Sequence, residues 1–168
     1  MFARTLVALL TSLALWPGAA AQAKQATPDV ATLLNAPGAL TIGDDTLRLE
    51  THLIRDAVSD ACFGTANCPA PPMSAIVLVH TSLGREFPAG VDATHLWVIR
   101  GTDVWDTGFA PTESRLALDG VPDARQWIAR NGPAWEPAPD VSAVVQIRLG
   151  NGSLSLLRQS EVSITIPE

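Results

Sequence analysis

Residues Thr94–Thr107, THLWVIRGTDVWDT, constrain this chain more than any other stretch. Val, Ile, Trp and Thr dominate it, side chains that fit a pleated, half-buried surface. The spacing predicts two short strands, His95–Arg100 and Val104–Thr107, with Gly101-Thr102-Asp103 turning between them. In the first strand His95, Trp97 and Ile99 share one face and Leu96, Val98 and Arg100 the other. A ring as large as that of Trp97 must bury against something. The expectation is that it faces the core and that the other strands collect around it.

The C-terminal third repeats this logic. Val141, Ala143, Val145, Ile147 and Leu149 alternate with Ser142, Val144, Gln146 and Arg148, then Gly150-Asn151-Gly152 forms a hairpin turn. Ser153–Leu157 runs back, and Glu161–Ile166 adds one more strand. Upstream, Leu40-Thr41-Ile42 precedes a turn at Gly43-Asp44-Asp45. A period-2 strand follows, with Leu47, Leu49, Thr51 and Leu53 inward and Arg48, Glu50 and His52 outward. Ser74–Thr81 is apolar on both faces, as a central strand covered on each side would be. Ser114–Asp119 offers a weaker strand.

One helix is expected over Pro122–Asn131. Pro122 suits the first helical position, Asp123 the positive end of the dipole, and Asn131-Gly132-Pro133 a stop. Ala124, Trp127, Ile128 and Asn131 fall at helical spacing, which turns Trp127 toward the sheet. Seven or eight short strands, one short helix and many Gly/Pro turns define an all-β chain, an antiparallel β-sandwich over residues 39–168. A small β-barrel is the competing architecture.

The N-terminus has the order of a secretory leader. Arg4 precedes the apolar run Leu6–Trp16, Pro17-Gly18 breaks it, and small residues follow to Ala23. Residues 1–23 therefore read as a signal peptide cleaved after Ala21 or Ala23, and the run falls short of the roughly 20 residues that span a bilayer. The mature product is expected to be secreted or periplasmic. Residues 24–38 read as a linker, or as a short, loosely docked helix at Val30–Asn35.

Cleavage removes Arg4 and no acid, so the net charge of −6 becomes −7. That balance argues against nucleic acid or anionic lipid as partner. About 145 mature residues bury close to 70% of the unfolded chain's surface, enough for one core without a disulfide framework. Cys62 and Cys68 nevertheless frame a short loop, and export would place them where a disulfide persists. Their C-x5-C spacing fits neither a CxxC redox pair nor a common zinc pattern.

The residues that could carry chemistry are few. His52, His80 and His95 each lie on an expected strand, and neighbouring imidazoles could bind copper or zinc. Their parity differs, however: His52 lies on an outward face and His95 shares a face with Trp97. The acidic pairs Asp44/Asp45 and Asp103/Asp106 lie in or beside turns, where Asp is common for backbone reasons. A G-x-S-x-G elbow and a phosphate-cradling glycine loop are both absent from the sequence. The reading is a non-catalytic domain without cofactor. Its binding candidates are Trp105, close to an edge, Trp135, in a proline-bounded loop, and Phe109, with Phe63 a weaker addition. A protein partner on an edge strand or on these tryptophan-bearing loops is expected. The alternative is a periplasmic metal carrier using the three histidines.

A mid-chain strand tryptophan at this spacing resembles immunoglobulin-like and fibronectin type III-like sandwiches over roughly residues 40–166. LWVIRGTDVW (96–105), RNGPAW (130–135) and VSAVVQIRL (141–149) also resemble small exported bacterial proteins without an assigned activity. The resemblance implies fold and export rather than chemistry. Cysteines six residues apart depart from the immunoglobulin pattern, because they cannot bridge two sheets.

Overall fold

The computed structural model describes residues 27–55, 70–82, 85–109, 116–117, 123–138 and 140–167. Among these residues a short helix, α1 (Val30–Leu34), precedes ten strands. These are β1 (Leu40–Ile42), β2 (Asp45–Arg55), β3 (Met73–His80), β4 (Asp92–Arg100), β5 (Asp103–Gly108), β6 (Leu116–Ala117), β7 (Ala124–Gly132), β8 (Val141–Arg148), β9 (Leu154–Val162) and β10 (Ile164–Thr165). One sheet has the order β1-β2-β3-β7-β6, with β10 lying parallel along β2. The other has the order β5-β4-β8-β9. Every pairing except β10 with β2 is antiparallel. The two sheets pack face to face, which makes the domain an all-β sandwich.

Alternation in the sequence builds the inner faces. Leu47, Leu49 and Leu53 of β2, Met73, Ala75, Val77 and Val79 of β3, and Val141, Ala143, Val145 and Ile147 of β8 meet in one core. Full burial of each larger side chain contributes roughly 1.5–3 kcal/mol relative to exposure. The largest of them is Trp127 on β7, fully buried. Its Nε1 donates to Asp92 Oδ1 at 3.2 Å, and Arg148 Nη2 reaches the other oxygen of that carboxylate at 2.9 Å.

Two expectations need correction. The helix expected over Pro122–Asn131 is replaced, from Ala124 on, by strand β7. The positions 124, 127 and 128 fit a helix, but Val77↔Trp127 and Ala75↔Ala129 pair in register and turn both β7 side chains inward. Ladder bonds to a central strand outweigh local propensity. Asn131, at φ 62°, absorbs the register shift near the end of the β3–β7 pair and returns Gly132 to the buried face.

Trp97 is buried, but not between the sheets. Leu96 and Val98 point into the main core, whereas Trp97 and Ile99 stand on the outer face of their sheet with Val144. Leu33 and Ala36, on α1 and just after it, cover them. The segment LWVI is apolar on both faces, so alternation alone does not choose the inward one. Val144 carries the clue, because it is the one aliphatic residue among Ser142, Gln146 and Arg148 on its side of β8.

The cover is fastened at both ends. Asp29 caps α1 by accepting from the Thr32 amide at 2.7 Å and its hydroxyl at 3.0 Å. Those bonds, the backbone one foremost, hold the Asp29 carboxyl below its ordinary range. At the far end Arg158 of β9 donates its amide to Pro37 O at 2.9 Å and its guanidinium to Leu34 O.

Candidate functional site

The β4–β5 hairpin ends at the mouth of the sandwich, where residues 133–136 pass after β7. Between them lies an open groove of about 680 Å³, lined by Thr102–Asp106 on one side and Pro133 and Trp135 on the other. Beyond its ladder to β4, β5 takes no further strand among the described residues. Its far edge therefore borders the groove. Val104 stands exposed on that edge; among the described residues the other large hydrophobic side chains exposed to this degree, Val30 and Leu154, lie on α1 and β9.

Two arginines position the loop. Arg55 closes β2 at an inward position, and its side chain is 9% exposed. Its Nη1 donates to Trp135 O at 3.1 Å, to Ala134 O at 3.4 Å and to Glu136 Oε1 at 2.9 Å, while Nη2 reaches Glu136 Oε2 at 3.3 Å. A planar fork can satisfy a carboxylate and two carbonyls together, which an ammonium cannot do as well. The Arg55 hydrogen bonds, with its charge and that of Arg100 behind them, hold the Glu136 carboxyl below its ordinary range. From the other sheet, Arg100 lays its guanidinium 4.6 Å from the centre of the Trp135 ring and donates to Asp103 Oδ2 at 3.1 Å. Trp135 N donates back to Pro133 O at 2.9 Å, tightening the turn that carries the ring.

Trp105 and Trp135 thus meet in one groove. They play different parts there: Trp105 is 8% exposed and belongs to the core, while Trp135 is half-buried. Trp105 packs directly over Gly132, where a methyl group would fall 2.8–2.9 Å from three ring atoms. Phe109 lies elsewhere, its ring centre 6.4 Å from that of Trp127. Phe63, Cys62 and Cys68 lie outside the described residues.

The histidines occupy opposite sides of the molecule. His52 and His80 stand on the outer face of the β2–β3 sheet, His52 beside Glu50 at 3.0 Å and His80 in register with Arg48. His95 stands on the outer face of the other sheet, its ring tilted 40° to that of Trp97 with centres 4.5 Å apart. Among the described residues, no three His, Cys, Asp or Glu side chains gather closely enough to hold a metal ion. His95 Nε2 contacts Asp106 Oδ1, which gives two members of a hydrolytic triad. The hydroxyl at this place, Thr27 Oγ1, bonds Asp106 Oδ2 at 3.3 Å and not the imidazole, so it is not set up as a nucleophile.

Arg55, Arg100, Glu136 and Gly132 were not anticipated from the sequence as parts of a site. Arg55 had a visible signal: it continues the inward series Leu47, Leu49, Thr51, Leu53, where a charge requires a buried partner. Comparison with protein-family models, with curated proteins and with solved structures returns no match to this chain.

Proposed function

We propose that this chain is exported by a cleaved N-terminal leader into a secreted or periplasmic compartment and acts there as a non-catalytic interaction module. It docks a protein partner at the β5 edge and the adjoining Trp135 groove. One observation carries the reading: Arg55 and Arg100, from different sheets, hold a half-buried tryptophan beside a strand edge that no other described strand covers. Aromatic rings held in place at low entropic cost are favoured anchors in interfaces. The Arg4, Leu6–Trp16, Ala19–Ala23 order supports export. A Cys62–Cys68 disulfide belongs to the same proposal, as does a kinship with immunoglobulin-like or fibronectin type III-like sandwiches, which the stacked antiparallel sheets support.

The test replaces Val104 with a photo-crosslinking residue in the exported protein and adds Trp135→Ala. A defined crosslinked partner, lost in Trp135→Ala while stability stays within about 1 kcal/mol of the parent, is the expected result. Crosslinking that survives Trp135→Ala, or no partner at all, overturns the site. The exported chain is expected to begin at Gln22 or Lys24 and to be lighter by two hydrogens than the fully reduced form. An intact leader or two free thiols would overturn those parts.

A further inference from the structure

Resting on that reading, we infer that the occupant of the β5 edge is an extended segment of another polypeptide, added as a strand beside β5. It carries a lysine or arginine opposite Asp106, an aliphatic side chain opposite Val104, and between them an apolar side chain directed into the groove. Side chains alternate along β5. The registers Trp97↔Asp106 and Ile99↔Val104 put Asp106 and Val104 on the outer face of the sheet. Trp105 turns inward, toward Gly132. An added strand repeats this alternation at a spacing of about 4.8 Å. Its residue opposite Trp105 therefore points between Trp105, Pro133 and Trp135, the apolar part of the groove. The six residues of β5, Asp103–Gly108, extend over roughly 20 Å, the length of a short recognition segment.

Charge selects among possible occupants. Asp103 is offset by Arg100 at 3.1 Å. Asp106 meets the His95 imidazole and the Thr27 hydroxyl, so this edge sets two carboxylates, Asp103 and Asp106, against one arginine. A second copy would instead bring two Asp103 and two Asp106 side chains to one seam, between chains that each carry a net charge of −7 once the leader and its Arg4 are removed. A cationic, β-prone segment of a different protein fits both the charge and the exposed Val104.

The exported protein, 15N-labelled, is titrated with the capped peptide Lys-Leu-Val-Leu-Lys and with Glu-Leu-Val-Leu-Glu. Both sequences are palindromic, so either strand direction presents the same side chains. The lysine peptide is expected to bind about fivefold more tightly, the scale of one exposed ion pair, and to shift the Val104–Thr107 amides. Asp106→Asn should bring the two peptides within about twofold of each other, whereas Asp44→Asn, at the remote β1–β2 turn, should not. Equal binding of the two peptides overturns the inference, as does a preference untouched by Asp106→Asn. Shifts elsewhere, or concentration-dependent shifts on β5 without peptide, also overturn it, the last because they assign the edge to a second copy. Should a protein crosslink at Val104 while the peptides show no preference, the charge rule falls and the docking site stands. Should neither crosslink nor peptide shift appear on β5, both fall.

Discussion

Gly132 lies beneath the indole of Trp105, so close that any side chain at 132 would enter the ring. This contact joins β7 of one sheet to β5 of the other and sets the floor of the groove. Gly132→Ala should therefore cost about 1–3 kcal/mol, the usual range for overpacking, and should move Trp105 toward solvent. Urea unfolding with intrinsic fluorescence checks this. An unchanged midpoint with unchanged emission would mean that the ring does not rest where described.

Trp127 and Trp97 are both buried but differ in polar satisfaction. Trp127 Nε1 bonds Asp92, whereas Trp97 Nε1 has no acceptor among the described residues. Replacing each by Phe removes comparable bulk, but only at 127 does it take a donor from a carboxylate. Trp127→Phe is expected to cost about 1–2 kcal/mol more than Trp97→Phe. Equal losses in paired denaturation curves would contradict the assignment.

Leu33 is 1% exposed on a five-residue helix, in a segment that the spacing alone reads as a linker or a short, loosely docked helix. Leu33→Ala should cost about 2–4 kcal/mol, as for a core leucine, and should expose residues 27–38 to limited proteolysis. A loss near 0.5 kcal/mol, typical of surface sites, would return the segment to linker status.

Arg55 is expected to govern the loop. Arg55→Met keeps the apolar stem but leaves the carbonyls of Ala134 and Trp135 and the Glu136 carboxylate without their donor. The expected cost is about 2–3 kcal/mol, with Arg55→Lys only partly restoring it, because an ammonium lacks the planar fork. Full rescue by lysine would show that charge alone, without fork geometry, suffices.

Acidification should loosen the same loop. The Glu136 carboxyl sits below its ordinary value of 4.5, through its bonds to Arg55 first and their charges second. A depressed folded-state pKa means that the contribution is complete above that ordinary value. It fades as pH falls below it and is lost once pH passes through the depressed value. The loop-reporting emission of Trp135 should follow that window and should lose its acid limb in Glu136→Gln. An identical acid limb in the variant would assign the transition to other carboxylates.

Much of the fold can be read from alternation. The inward series of β2, β3 and β8 and the Asn151-Gly152 turn follow from period-2 spacing and turn chemistry. The pairing of Trp105 with Trp135 in one groove cannot be read that way. It depends on Arg55 and Arg100, which lie 45 residues apart in the numbering and meet only because β2 and β4 end at the same mouth of the sandwich. The strand at 124–132 escaped because its apolar spacing fits two periods over one short window.

The sequence by itself determined that this chain makes short strands with alternating faces, since backbone sterics and side-chain alternation act locally. Tertiary structure decided which face of LWVI turns inward, because both faces are apolar and only α1 and Val144 break the tie. It also decided that Trp127 takes the central place and that Trp97 lies beneath a helix. Burial is a property of pairs of surfaces, and one strand's sequence specifies only its own half.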